Sequence, residues 1–328
     1  MSGRWTTSVE TALNSRCSSD YDDDPFRGHW GMFDPERGVT EEEREEVLEA
    51  AGSIPRFTSR DLVIREDENR LLFLVEGGVE ELEGCWVNVE SGMQQEAVHL
   101  ACAAMGLGTC IYNLGVNGRP WGSMIATVKM GLGGMKPSFG GKMWEDKPPE
   151  DWLPGNLPEP RRSSNVALMD VIKRLELSAS KNPATEADIS QILWAMRGRT
   201  PHLYGGKRWG LTIPTWAGGQ NYTSLYILLE NGTFSYVNWE KDRPTHGIRR
   251  IGDVTPERVG EEARAIVVLG VNEGTGRALW EIGYMLENAL VQAAALEISY
   301  KAVLLDAERK RRFSEAGFKD PVAAFIIL

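Results

Sequence analysis

Residues 90–109, ESGMQQEAVHLACAAMGLGT, decide how the chain is read. Ala97, Leu100, Ala101, Ala104 and Met105 recur at the three- and four-residue spacing of one apolar helix face. The other faces carry few charges, so the spacing predicts a helix buried on most sides. Gly106-Leu107-Gly108 ends it, as expected where a backbone must turn left-handed. The same layout returns at residues 281–298, EIGYMLENALVQAAALEI. Glu90, Gly92, Glu96 and Met105 align with Glu281, Gly283, Glu287 and Leu296, a constant offset of 281 − 90 = 191 without a gap. A chain that builds one unusual buried helix twice is expected to build one domain twice.

The bulk composition agrees with two soluble domains. A length of 328 residues gives room for two cores, with 42% hydrophobic and 25% charged residues. A net charge of −11 argues against a nucleic-acid partner, which needs a basic surface. No stretch reaches the ~18 apolar residues of a membrane span. The opening MSGRWTTSVETALNSR lacks the apolar core of a signal peptide. Cys17, Cys85, Cys102 and Cys110 form no CxxC pair and no metal spacing, which points to reduced thiols and a cytoplasmic location.

Around the two long helices, the elements fall in a repeated order. Residues 8–16 read as a short helix, and Thr40-Glu41-Glu42-Glu43 as a capping box opening a second helix that carries Val47 and Leu48. Asp61–Ile64 and Leu71–Val75 form a hairpin before the long helix; Thr109–Tyr112 and Ile125–Met130 are strands after it. Residues 144–160, WEDKPPEDWLPGNLPEP, hold five prolines and can be neither helix interior nor central strand. They mark a boundary, and their two tryptophans suggest a linker that packs. Beyond it come a helix over Ala167–Leu175, a capped helix start at Thr185-Glu186-Ala187-Asp188, and a glycine-containing loop over Pro214–Asn221. Strands over Tyr222–Leu229 and Thr233–Val237 bracket Asn231-Gly232, a hairpin turn signal. Thr255-Pro256 opens a short helix, Ala265–Gly270 is a buried strand, and Val322–Leu328 is an apolar strand. The expected domains are therefore 1–143 and 165–328, joined by a Pro/Trp-rich linker over 144–164.

This series resembles the nitroreductase family of flavin enzymes. The second half, with DISQILWAMRGRT at 188–200 and PTWAGGQN at 214–221, is similar to the branch of peptide thiazoline and oxazoline dehydrogenases. The resemblance implies an α+β fold. It would comprise two tandem nitroreductase-like domains, each a small, mainly antiparallel sheet flanked by helices, forming an intramolecular pseudo-dimer. It also implies FMN at the interface between the halves.

The family's flavin segments carry over piece by piece. Its Arg-Arg-Ser run, aligned on Pro25, becomes Ser15-Arg16-Cys17, with Ser18 following; aligned on Pro183 it becomes Lys173-Arg174-Leu175, without the hydroxyl. Its Pro-Ser-x-x-Asn-x-Gln loop under the ring is matched by Pro214, Thr215, Trp216, Gly218 and Gln220, with Gly218 in place of Asn. Its Gly-x-Gly after the long helix is kept at Gly106 and Gly108, while Glu297 and Ser299 occupy those positions in the second half. A basic phosphate contact is matched by Lys136. The resemblance thus implies one FMN site, with phosphate-side pieces from the first half and a ring-side loop from the second. NAD(P)H would be the reducing co-substrate and a flat small molecule the acceptor. The assembly would be a monomeric pseudo-dimer or a dimer of it, with no nucleic-acid or membrane partner.

Plainer roles compete at each position. Arg16 could offset a helix dipole, Cys17 could be a small buried hydrophobe, and Lys136 a solvated lysine. Trp216 packs in a core equally well. Glu96 and Glu287, on an otherwise buried helix, call for partners, and an interface salt bridge suits them better than catalysis. Ala265–Gly276, AIVVLGVNEGTG, looks superficially like a nucleotide-binding turn, but it lacks G-x-G-x-x-G spacing and repeated βαβ order. A third reading is a catalytically silent scaffold that binds a ligand without redox turnover. No catalytic triad is visible.

Overall fold

The computed structural model describes residues 5–16, 19–20, 31–34, 36–67, 70–76, 86–113, 119–121, 124–134, 149–204, 207–214, 222–273 and 276–328. In chain order the first half runs α1 (Val9–Ser15), β1 (Ser19–Asp20), β2 (Gly31–Met32), α2 (Glu41–Gly52), β3 (Leu62–Asp67), β4 (Arg70–Glu76), α3 (Val87–Ala104), β5 (Leu107–Asn113), β6 (Arg119–Trp121) and β7 (Met124–Gly134). There follow α4 (Leu168–Ile172), β8 (Ser178–Ala179), α5 (Glu186–Arg197), β9 (Arg199–Tyr204), β10 (Lys207–Leu211), β11 (Thr223–Leu229), β12 (Gly232–Glu240) and β13 (Arg243–Gly252). A 3-10 turn at Glu257–Val259 precedes β14 (Ala265–Val271), α6 (Gly276–Leu296), β15 (Tyr300–Leu304), α7 (Ala307–Glu315) and β16 (Pro321–Ile327).

Local chemistry sets the helix starts. Ser8 accepts from Thr11 N at 3.2 Å and caps α1. Thr40 and Glu43 exchange side-chain to backbone bonds at 3.2 and 2.9 Å, the expected capping box of α2. Thr185 and Asp188 do the same for α5 at 3.2 and 2.8 Å. Gly106 ends α3 at φ +71°, and Glu297, 191 residues on, ends α6 in the same left-handed region at φ +53°. Only a glycine adopts that region without steric cost.

Two mainly antiparallel sheets carry the fold. The first has the order β3-β4-β7-β5, with β6 also on β7; the second has the order β13-β12-β11-β14-β16-β15-β8. In each, a late strand is inserted between the strand before the long helix and the strand after it: β7 between β4 and β5, β16 between β14 and β15. β7 continues through Gly131–Gly134, where the sequence suggested that the strand stops at Met130. Those glycines leave room on the strand: a Cβ at Gly133 would lie 2.7 Å from the Phe33 ring, and one at Gly134 would lie 2.5 Å from the Arg37 stem.

The long helices α3 and α6 pack against each other in the middle of the molecule. At the crossing a Cβ on Gly92 would stand 2.3 Å from Trp280 O, and one on Gly283 would stand 2.1 Å from Val89 O. Both pairs obey the same offset, 280 − 89 = 283 − 92 = 191, so the two helices meet in matching register. Only glycine permits backbones this close. A second reciprocal contact links α1 to α4, where Val9 N donates to Val166 O at 3.1 Å and Leu168 N to Thr7 O at 2.9 Å. The described part of the Pro-rich segment, residues 149–160, is packed: Trp152 is buried, its ring 5.7 Å from that of Trp209, and Leu153 N donates to Pro244 O at 2.8 Å. Among the described residues no helix is long and apolar enough to cross a membrane.

Candidate functional site

The residues that converge are built on the end of α1. Arg16 is its C-cap, and its side chain leaves the first half to reach the exit of β10 in the second. Nε donates to Thr212 O at 3.0 Å and Nη2 to Leu211 O at 2.9 Å, two and three residues before Pro214. Thr212 O also accepts from Asn288 Nδ2 at 3.1 Å, and Thr212 Oγ1 donates to Trp194 O at 3.3 Å. Arg16 and α6 together therefore hold the chain where it enters the Pro214 loop. The guanidinium is 5% exposed, and Nη1 has no hydrogen-bond partner among the described residues. Both ends of the Asn14 amide, on the turn before it, and Asn288 Oδ1 are likewise buried without a partner there.

Two carboxyl groups face this seam. Glu96 of α3 lies 3.8 Å from Arg16 Nε, and all four oxygens of Glu96 and Glu287 lack a hydrogen-bond donor among the described residues. Burial pushes the Glu96 carboxyl up to about 8, against the pull of Arg16 and of the Asn288 side chain. Burial, and then the neighbouring Glu96, holds Glu287 well above the ordinary carboxylate range. Near neutral pH Glu96 is largely protonated, so among the described residues the positive charge on Arg16 is not fully cancelled. A buried charge of this kind wants a counter-ion. His99 is driven well below its usual range, first by burial and then by Arg16, and its Nδ1 contacts Thr109 Oγ1.

The candidate residues separate into groups. Arg16 is bonded across the two halves to Leu211 O and Thr212 O, which lead into Pro214. Gly106 and Gly108 sit at the far end of α3, with about 12 Å of helix rise between Glu96 and Ala104. There Gly108 pairs with Gly133, and Arg37 Nη1 donates to Gly106 O at 2.8 Å while Nη2 reaches Glu43 at 3.2 Å. Cys17, Ser18, Lys136, Thr215, Trp216, Gly218 and Gln220 lie outside the described residues. Arg174 is turned back on its own helix, donating to Asp170 O. Asn14 and Asn288 were not singled out from sequence. The available signal was an amide on the same short helix as Arg16, and another beside Glu287 in an apolar stretch.

An anionic cofactor group suits this seam on two counts: a buried, uncancelled guanidinium, and orphaned N–H donors on Arg16 and Asn14. Cys102 and Cys110 are buried and not joined in a disulfide, and among the described residues no three metal-ligating side chains cluster.

No family model matches the chain, and no curated protein matches its sequence. Similar solved structures are candidate nitroreductases. One from Ralstonia eutropha is 22% identical, covers 52% of this chain and 86% of its own, and has a TM-score of 0.39. One from Anabaena variabilis is 10% identical over 78% of this chain and 69% of its own, at 0.49. One from Thermotoga maritima is 12% identical over 100% of this chain and 97% of its own, at 0.46.

Proposed function

We propose that this chain is a flavin-binding oxidoreductase of nitroreductase type. Its halves, 1–143 and 165–328, would act as the two members of an intramolecular pseudo-dimer, joined by the packed linker 144–164. The observation that carries the reading is Arg16. It reaches from one half to the carbonyls that introduce the Pro214 loop of the other, and among the described residues its Nη1 has no hydrogen-bond partner. The matched 191-residue register at the Gly92–Gly283 crossing supports the pseudo-dimer. In this reading Arg16 Nη1 and the Asn14 amide receive the FMN phosphate, and the stretch Pro214–Gln220 receives the ring. Bound there, FMN would supply two-electron exchange between NAD(P)H and a flat organic acceptor. The chain's own part is to bind and orient. Arg16 and Asn288 fix the loop entrance through Thr212 O, and the apolar packing around the seam excludes water.

The direct test is titration of purified protein with FMN, followed by absorbance at about 370 and 450 nm, where flavins absorb generally. Bound flavin is the expected result, with affinity reduced at least about tenfold in Arg16→Gln and in Gln220→Ala and unchanged in Arg174→Gln. A protein that stays colourless after incubation with FMN refutes the proposal. A binding scaffold without turnover is the second reading. It is favoured by the way Arg37 and Phe33 cover the Gly106–Gly134 end of the fold. Anaerobic bleaching of the bound flavin by NAD(P)H distinguishes the two.

A further inference from the structure

The hairpin β9–β10 is a two-stranded sheet by itself. Its pairing, from Leu211↔Arg199 to Lys207↔Tyr204, includes no third strand among the described residues. A lone hairpin is marginal in water, so its place is set by the side chains packed against it. β9 is fixed at its start, where Arg199 O accepts from Trp194 Nε1 of α5 at 3.2 Å. β10 bears on the candidate site, because it ends at Leu211, three residues before Pro214. Arg16 holds that end. Two residues back along the strand, the Pro-rich segment takes hold. Trp209 Nε1 donates to Asp151 Oδ2 at 2.7 Å, and the Trp209 ring lies 5.7 Å from that of the buried Trp152.

That segment is itself anchored at two further places. Leu153 N donates to Pro244 O at 2.8 Å, and the Asn156 amide exchanges two bonds with the backbone of Ile248, at 2.8 and 2.9 Å. The segment thus covers part of the outer edge of β13. Gly155 permits this approach, since a Cβ there would stand 1.8 Å from His246 O. Further on, Arg161 reaches α1: its Nε and Nη2 each lie 2.8 Å from Oε1 of the buried Glu10 side chain. α1 carries Glu10 in its first turn and Arg16 at its end. The contacts therefore close a circuit. It runs from Asp151 and Trp152 through Trp209 and β10 to Leu211 and Thr212, through Arg16 along α1 to Glu10, and through Arg161 back to the segment.

We propose that Asp151, Trp152 and Arg161 form a positioning strap for the entrance of the Pro214 loop, and so for a planar ligand seated there. They act at one remove, through Trp209 on one side of the circuit and through α1 on the other. The carboxylate of Asp151 gives the indole N–H a charge-assisted bond, the stronger kind of hydrogen bond, at the strand that leads into the loop. The ligand's identity as FMN rests on the flavin reading above, whereas the strap is measurable without it.

The test uses the full chain. Amide hydrogen exchange over residues 207–213, followed by mass spectrometry, reads the strand directly. Asp151→Ala removes the acceptor of the Trp209 indole, and should speed exchange there several-fold and weaken FMN binding by about three- to tenfold. Asp151→Asn keeps an acceptor and should stay within about twofold of the parent in both measurements. Trp209→Phe keeps a ring but loses the N–H; it should match Asp151→Ala, and the double variant should be no worse than either single one. Asp306→Ala serves as the control for lost stability. It removes the N-cap of α7, where Asp306 Oδ1 accepts from Arg309 N at 2.8 Å, and α7 packs on β16 and the 3-10 turn, away from the strap. It should melt at a lower temperature with exchange over 207–213 and FMN affinity unchanged. The proposal is overturned by unchanged exchange in Asp151→Ala, by equal acceleration in Asp306→Ala, by Asp151→Asn behaving like Asp151→Ala, or by faster exchange with FMN affinity intact. A parent that binds no FMN overturns the flavin reading, and exchange over 207–213 then decides the strap alone.

Discussion

Replacing Glu96 by Gln tests the electrostatics of the central seam through the pH dependence of stability. In the unfolded chain both carboxyl groups ionise near 4.5; in the fold Glu96 stays protonated to about 8 and Glu287 is raised well above its ordinary value. A group whose folded pKa is raised favours the folded state below its unfolded pKa and loses that advantage as pH rises. Each carboxyl therefore lowers stability by about 1.4 kcal/mol per pH unit through this window. The buried histidines act with the opposite sign. Burial and Arg162 lower His246 to about 3, and His99 is also well below 6.5. Their contribution is complete above 6.5 and is lost as pH falls. Between 4.5 and 6.5 the two pairs oppose each other, and the profile should be shallower there than above 6.5. Above 6.5 only the carboxyls remain, with a combined slope of at most about 2.7 kcal/mol per unit up to pH 8. Gln keeps the shape of Glu96 without a titration, and it removes the charge that holds Glu287 up. The slope should at least halve, so by pH 8 the variant gains about 2 kcal/mol on the parent relative to pH 6.5. Urea unfolding followed by circular dichroism across this range measures both slopes. Equal slopes in parent and variant, or a parent that grows more stable above pH 6.5, would refute the reasoning.

Other consequences can be measured on the same material. If FMN is bound as proposed, ionisation of Glu96 cancels the Arg16 charge, so FMN affinity should fall as pH rises through about 8 and should fall less in Glu96→Gln; a parallel decline in both would remove Glu96 from the explanation. Gly92→Ala or Gly283→Ala places a methyl against a backbone carbonyl at 2.3 or 2.1 Å, and should cost about 3 kcal/mol in thermal or urea unfolding. Glu297→Gly relieves a left-handed residue at φ +53° and should stabilise the chain by about 1 kcal/mol, while Gly106→Ala at φ +71° should destabilise it by a similar amount.

Much of the fold was legible because it rests on local rules. The capping boxes at Thr40 and Thr185, the hairpin at Asn231-Gly232 and the buried strands β14 and β16 each carry their own signal in sequence. The strands missed were β13, β15 and the β9–β10 hairpin, besides the short β1, β2, β6 and β8, and the helix missed was α7. Residues 243–252, RPTHGIRRIG, are too charged to read as a strand, but this strand lies at the sheet edge with its arginines exposed. AERKRRFSE in α7 buries only Phe313 and so lacks an apolar stripe. At the site, Arg16 was legible as a residue type at a helix end. Its bonds to Leu211 and Thr212 were not, because a side-chain contact across 196 residues to a backbone carbonyl leaves no trace in composition or spacing.

The two long helices repeat their glutamates but not the partners of those glutamates. Glu90 and Glu281, at the outer position, are each held within their own half. Glu90 accepts from Thr58 N and Oγ1 at 2.6 and 2.7 Å and from Arg56 at 3.0 Å; Glu281 has Thr223 at 3.4 Å and Arg197 nearby. At Glu90 the desolvation is offset locally by these donors, and at Glu281 by Thr223 and the nearby Arg197 charge. Glu96 and Glu287, at the inner position, meet at the seam instead. Arg16 stands on the Glu96 side alone; among the described residues no cation pairs with Glu287. With the Glu96 carboxyl raised to about 8 and Glu287 raised as well, the Arg16 guanidinium is, among the described residues, the positive charge set on one side of an otherwise matched pair of helices. An anion entering the seam gains from that charge on the Arg16 side and finds no equivalent on the other. This charge balance favours one seat over two, and it follows from Arg16, whose aligned counterpart Arg174 is turned back on Asp170 O instead.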